Sequence, residues 1–172
     1  MIDYESMAPR VITDTLLAKV PDNLAIRRVV PKERQIPLSR TFHVRGFLPA
    51  GEGKKSIAFE SLLEKHFVRL MLEFPEVEEI VSQPVTIYYS VNGREHRYTP
   101  DYQVKLVDVP DSLRILGFNK TTFVECKPVS KIPEQARRLS RHFQSVGIAT
   151  RMPIVTFTDS RLHAALLTGG VA

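Results

Sequence analysis

Thr122-Phe123-Val124-Glu125-Cys126-Lys127-Pro128 is the stretch on which the fold turns. Its β-branched and aromatic residues predict a strand over Thr122–Lys127, closed by a proline that cannot donate to a ladder. Side chains alternate along a strand, so Glu125 and Lys127 share one face while Val124 and Cys126 take the other. An acid and a lysine side by side at the end of an apolar strand are awkward for folding. Exposed on an edge, such a pair contributes under about 1 kcal/mol. Working back, Tyr98-Thr99-Pro100-Asp101 sets another carboxylate at the start of a strand over Tyr102–Val107, and Glu64 falls on the first predicted helix.

Around these residues helical and extended patterns alternate. Phe59, Leu63, Phe67, Leu70 and Phe74 form the apolar stripe of a helix that ends before Pro75. Val85–Val91 is β-branched and aromatic, and Asn92-Gly93 after it signals a hairpin, because both central residues of a type I′ turn need positive φ. The return strand covers His96–Thr99, and Asp108–Asn119 reads as a loop. A second helix spans Pro133–Val146 with Gly147 as its stop. A strand at Pro153–Phe157 and a last helix at Ser160–Leu167, capped by Asp159 or Ser160, complete the order. The first 55 residues hold five of the twelve prolines and read as an irregular basic arm with one or two short strands, such as Leu24–Val30. The predicted fold is α/β, one mixed central sheet flanked by helices over residues 56–172, preceded by the arm over 1–55.

Composition narrows the function classes. A chain of 172 residues, 43% hydrophobic and 25% charged, is too apolar for a disordered tail. It also lacks the run of about 20 apolar residues that a spanning helix needs. Its start, MIDYESMAPR, is acidic without an apolar stretch, which predicts no secretory signal and a cytoplasmic protein. One cysteine rules out an internal disulfide and a cysteine-based zinc site. The net charge of +5 suits a polyanionic partner. Residues 19–55 carry nine Lys/Arg against three acids and residues 120–151 seven against two, while residues 56–107 carry eight acids against five bases. The acids therefore gather between two basic segments.

Mg²⁺ takes hard oxygen ligands in octahedral geometry and keeps several waters. Asp101 and Glu125 from neighbouring strands, with a strand carbonyl, make such a half-shell. A nearby Lys127 suits polarising a water or steadying charge that develops on a phosphate. Metal-assisted hydrolysis of a phosphodiester is the chemistry this combination fits. The edge-strand ion pair stays open beside it.

Pro100-Asp101 followed by Glu125-Cys126-Lys127 resembles the PD…(D/E)xK signature of restriction-endonuclease-like nucleases. Ser61-Leu62-Leu63-Glu64-Lys65-His66-Phe67, Gln83-Pro84, Tyr98-Thr99-Pro100-Asp101-Tyr102, Val124-Glu125-Cys126-Lys127-Pro128 and Phe157-Thr158-Asp159 occur in that order. Together they resemble the catalytic domain of TnsA-type endonucleases, over roughly residues 56–160. The resemblance implies a restriction-endonuclease-like core. It puts Glu64, Asp101, Glu125 and Lys127 at the active-site positions, with Glu64, Asp101, Glu125 and the Cys126 carbonyl around Mg²⁺, for which Mn²⁺ can substitute. Glu60, one turn before Glu64, is the rival acid. The resemblance further implies double-stranded DNA at transposon ends as substrate, cut at the 5′ ends. A DDE-type transposase, which cuts the 3′ ends, and an AAA+ ATPase regulator are the implied partners, with no membrane and no small-molecule cofactor. Larger members of that family carry a C-terminal winged-helix-like domain, whereas this sequence stops at Ala172.

Other signals are weaker. Gly51-Glu52-Gly53-Lys54-Lys55-Ser56 lacks the earlier glycine of a phosphate loop, Leu48 standing in its place. The five histidines form no ligand pair, and alternation turns Cys126 away from Glu125. Lys131, Arg137, Arg138, Arg141 and His142 edge the second helix and suit phosphate contacts, as do Arg27, Arg28, Arg34 and Arg40 in the arm. The sequence thus predicts a Mg²⁺-dependent DNA endonuclease within a transposase complex. A stand-alone restriction or repair nuclease and a non-catalytic DNA-binding or scaffold module remain as alternatives.

Overall fold

The computed structural model describes residues 23–32 and 44–159. Four strands make the central sheet: β4 (Val77–Ser82), β7 (Tyr102–Leu106), β8 (Thr121–Cys126) and β9 (Ile154–Phe157), in the order β4-β7-β8-β9. It is mixed, because β4–β7 and β7–β8 are antiparallel whereas β8–β9 is parallel. A parallel pair needs a crossover, and helix α3 (Ile132–Thr150) supplies it. A second sheet, β1 (Ala25–Pro31), β5 (Val85–Val91) and β6 (Arg94–Tyr98), is antiparallel in the order β1-β5-β6. A third ladder pairs β2 (Gly46–Leu48) with β3 (Ile57–Phe59). Helix α1 (Leu62–Leu72) and the short α2 (Asp111–Ile115) complete the set.

Both faces of β8 are covered, which is why it is buried from Thr122 to Cys126. Val124 and Cys126 pack with Phe67 and Met71 of α1 and with Tyr102 and Val104. Phe123 packs on the other side with Ile132, Leu139 and Phe143 of α3, and with Ile87, Tyr89 and Tyr98. The alternation expected along β8 therefore holds. Asn92 and Gly93 adopt φ of 53° and 73°, the conformation a type I′ turn requires, and join β5 to β6.

Several expectations are corrected. The apolar stripe over Phe59–Phe74 is not one helix: Phe59 lies in β3, Phe74 lies beyond the C-cap Glu73, and α1 begins at Leu62 because Ser61 caps it. Helix α3 runs through Gly147 to Thr150 and ends at Arg151 with φ 56°, since burial of Phe143 and Val146 outweighs the roughly 1 kcal/mol helical cost of one glycine. Instead of a single sheet, the described residues form the mixed one and two further antiparallel sheets, β1-β5-β6 and β2-β3. Strand β4 was not expected, and the Asp108–Asn119 loop contains α2. The expected helix at Ser160–Leu167 lies outside the described residues, as do Arg34 and Arg40. Asp159 accepts from Val129 N at 2.8 Å and so ties the end of β9 to the turn after β8. From the basic arm, β1 pairs with β5. Among the described residues no helix is long and apolar enough to cross a membrane.

Candidate functional site

Tyr102 pairs with Val124 where β7 meets β8, so Asp101, one residue earlier, lies level with Glu125. Asp101 Oδ2 accepts the backbone N–H of Cys126 at 2.7 Å. Its carbonyl accepts from Gln83 N at 2.8 Å, and Gln83 itself sits in the left-handed region at φ 47°. Non-glycine residues held there carry strain and gather at functional sites.

Glu125 is 6% exposed. Its Oε2 accepts the Tyr98 hydroxyl at 2.6 Å and its Oε1 meets Lys127 Nζ at 3.1 Å, so both oxygens are held. Lys127 N donates to Phe157 O at 2.9 Å, which prolongs the parallel ladder by one residue and keeps Lys127 on the Glu125 face. Cys126 directs its N–H toward Asp101. In an extended strand the N–H and C=O of one residue point to the same edge, so the Cys126 carbonyl turns toward Asp101 as well. Its side chain is in the core and burial pushes the thiol up, consistent with an inert packing residue.

Glu64 has a second occupation. Ser61 Oγ accepts from Glu64 N at 3.1 Å and lies 3.2 Å from Glu64 Oε1, while Glu64 Oε2 accepts from Glu60 N at 2.7 Å. This is a capping box displaced by one residue, and the pattern Ser61-Leu62-Leu63-Glu64 signals it in sequence. Tyr102 donates its hydroxyl proton to Ala58 O at 2.8 Å and stands 3.3 Å from Glu64 Oε2. Glu60 is bound to Gln83 Nε2 at 2.7 Å and to Arg45 Nη2 at 3.3 Å, so this rival acid is engaged in holding β2 and the β4–β5 corner against α1.

Charge is concentrated at Asp101. Burial, then the carboxylates of Glu125 and Glu64, push its carboxyl well above the usual range, against the Cys126 N–H and the Lys127 charge. Burial also raises Glu64. Three carboxylates thus act on one another with a single ion-paired lysine, an excess of negative charge that a divalent cation would offset. Among the described residues no three His, Cys, Asp or Glu side chains converge into a closed ligand group. Mg²⁺ does not require one, since it is held by one or two carboxylates with waters and phosphate oxygens. The hard oxygen donors fit that open arrangement.

Basic residues border part of the site. Arg138, His96 and Lys127 all act on His142, whose imidazole burial and these charges lower to about 4. His142 also stacks on Tyr98, whose hydroxyl bonds Glu125, so the α3 turn carrying His142 stands one ring away from the Glu125–Lys127 pair. Arg138 is exposed and bonded to Gln135, Lys131 pairs with Glu134, Arg137 is exposed, and Arg141 is half-buried near Tyr89. Arg28 lies 4.1 Å over Tyr88, opposite the sheet face through which Ile87 and Tyr89 enter the core, and Arg27 bonds Ser90 Oγ at 3.1 Å. Arg27 and Arg28 are thus separated from α3 by the β1-β5-β6 sheet. His66 packs near Phe157 and His96 stacks on Tyr89. Sequence reasoning gave no role to Tyr98 or Tyr102 and placed His142 only among the basic residues edging the second helix; the tyrosines flanking Thr99-Pro100-Asp101 were the available signal.

Residues 74–152 match the family model described as TnsA-like endonuclease N terminal, a stretch that includes Asp101, Glu125 and Lys127 and begins after Glu64. No curated protein matches the chain.

Proposed function

From the match of residues 74–152 to the TnsA-like endonuclease N-terminal family model, we propose that the chain is a Mg²⁺-dependent DNA endonuclease that hydrolyses phosphodiesters at the 5′ ends of a transposon as one subunit of a heteromeric transposase. The observation that carries this reading is the level placement of Asp101 at the start of β7 and Glu125 near the end of β8, with Lys127 ion-paired beside them. Asp101, Glu125 and the Cys126 carbonyl would hold the metal, with Glu64 completing the shell directly or through water. When bound, the ion supplies Lewis-acid stabilisation of the phosphate and a water of lowered pKa. Lys127 brings a positive charge to the attacked phosphate and orients the water whose oxygen replaces the leaving 3′ or 5′ oxygen on phosphorus. The basic edge of α3, through Lys131, Arg137, Arg138 and Arg141, takes phosphates of the duplex. These contacts read no bases, so end recognition falls to partner subunits, a DDE-type transposase and an AAA+ ATPase regulator.

The test is a Mn²⁺ titration by calorimetry of the wild-type chain and of Asp101→Ala, each with and without duplex DNA, followed by cleavage in the assembled complex. Binding that disappears in Asp101→Ala, with Asp101→Ala and Lys127→Ala both folded and inactive, supports the nuclease. A second reading, a non-catalytic DNA-binding module, is favoured by the engagement of Glu64 at the α1 cap. DNA binding indifferent to Mn²⁺ and to Asp101→Ala would select it.

A further inference from the structure

Tyr98 closes β6 with its ring buried and its hydroxyl against Glu125 Oε2. The ring is braced from α3. His142 stacks on it with centroids 4.4 Å apart and planes 9° apart, and Phe143 tilts against it at 6.4 Å. His142 is fixed in turn, its Nδ1 lying 2.9 Å from the Tyr89 hydroxyl, and Tyr89 stacks on His96 at 5.3 Å. A chain of four aromatic rings therefore ends on one carboxylate.

An ionised carboxylate offers about four lone-pair sites. Tyr98 takes one on Oε2 and Lys127 faces one on Oε1, which leaves the outward pair for other ligands. We infer that Tyr98 is a positioning residue: its phenol, held in place by His142, fixes the rotamer of Glu125 and the direction in which that carboxylate presents its remaining lone pairs. This deepens the nuclease reading and rests on it. The competing account is that a buried phenol needs a partner, and Glu125 merely provides one.

Tyr98→Phe keeps the ring and its stack and removes only the hydroxyl. Two readouts separate the accounts. In the metal-free chain, the unfolding equilibrium constants of Tyr98→Phe, Glu125→Gln and the double variant are expected to be non-additive by roughly 3- to 30-fold, as for residues in direct contact; additivity overturns the inference. In the Mn²⁺ titration with duplex DNA, Tyr98→Phe is expected to bind 10- to 100-fold more weakly than wild type, the usual cost of losing a group that orients a ligand. Non-additive unfolding with unchanged Mn²⁺ affinity leaves a purely structural hydrogen bond and overturns the positioning role. Absence of Mn²⁺ binding in the wild type overturns the nuclease reading and this inference together, and that control tells the two failures apart. Should Tyr98→Phe not fold, His142→Leu, which removes the bracing ring and leaves the phenol, is expected to weaken Mn²⁺ binding in the same direction, and unchanged binding there also overturns the inference.

Discussion

Asp101 Oδ2 receives the backbone N–H of Cys126 at 2.7 Å, so the acid of one strand is tied to the main chain of the next between Glu125 and Lys127. The direction of the Asp101 carboxylate is thereby set by the main chain of β8, and its level with Glu125 by the β7–β8 register.

Asp101 gives a pH dependence whose sign follows from its crowding. Its folded carboxyl is raised above the unfolded value, so its contribution to stability is fully present below the unfolded pKa and is lost as pH rises through the folded one. The metal-free wild type should melt at a lower temperature at pH 8 than at pH 5 by this term. Asp101→Asn, whose amide oxygen can still accept from Cys126, should melt a few degrees higher at pH 8 and show a flatter profile. Scanning calorimetry across that range checks it.

The cap of α1 should be measurable by itself. Ser61→Ala removes the acceptor for Glu64 N and is expected to cost about 1 kcal/mol. Urea unfolding gives the value, and Ser61→Asp should recover most of it.

Gly147 lies inside α3, is exposed, and has nothing within 4 Å of the place a Cβ would occupy. Gly147→Ala should therefore stabilise the protein by about 0.4–1 kcal/mol through helix propensity and a less free unfolded chain. A loss of stability instead would show that α3 does not run unbroken through this position.

The two basic regions can be told apart by salt. If the α3 edge takes phosphates, Arg138→Ala should weaken binding to duplex DNA and reduce the slope of log affinity against log salt by about 1. Arg28→Ala, on the far side of the β1-β5-β6 sheet, should leave that slope unchanged. Fluorescence anisotropy at four salt concentrations measures both.

Much of the centre of the molecule could be read before its structure, and the reasons are local. Alternation along β8 assigns Glu125 and Lys127 to one face because both sides of that strand are buried and a slip by one residue would bury both charges in the α1 side. The Asn92-Gly93 turn was legible for the same kind of reason, since few residues tolerate its backbone. Phe59 misled because its spacing to Leu63 fits a helix by coincidence, while Ser61 between them ends one element and starts another. Strand β4 was hidden by Glu78 and Glu79, which sit at an exposed stretch of an edge strand. Glu64 looked like a site acid alone because the resemblance drew attention away from the Ser61-Leu62-Leu63-Glu64 capping pattern, through which its oxygens are engaged at the helix start. The Tyr98–Glu125 bond joins residues 27 apart in sequence, and no periodicity reports a contact of that kind.

The parallel pairing of β8 with β9 also governs the order in which the protein can acquire its chemistry. Lys127 finds its main-chain partner in Phe157, on the far side of the whole of α3, and such non-local pairings close late because the chain entropy of the crossover must be lost first. A nascent chain that has released α1 through β8 already contains Glu64, Asp101, Glu125 and Lys127, yet lacks the strand that fixes the last of them. Lys127 therefore lacks its fixed place through most of synthesis, and the candidate site is complete only when β9 docks beside β8.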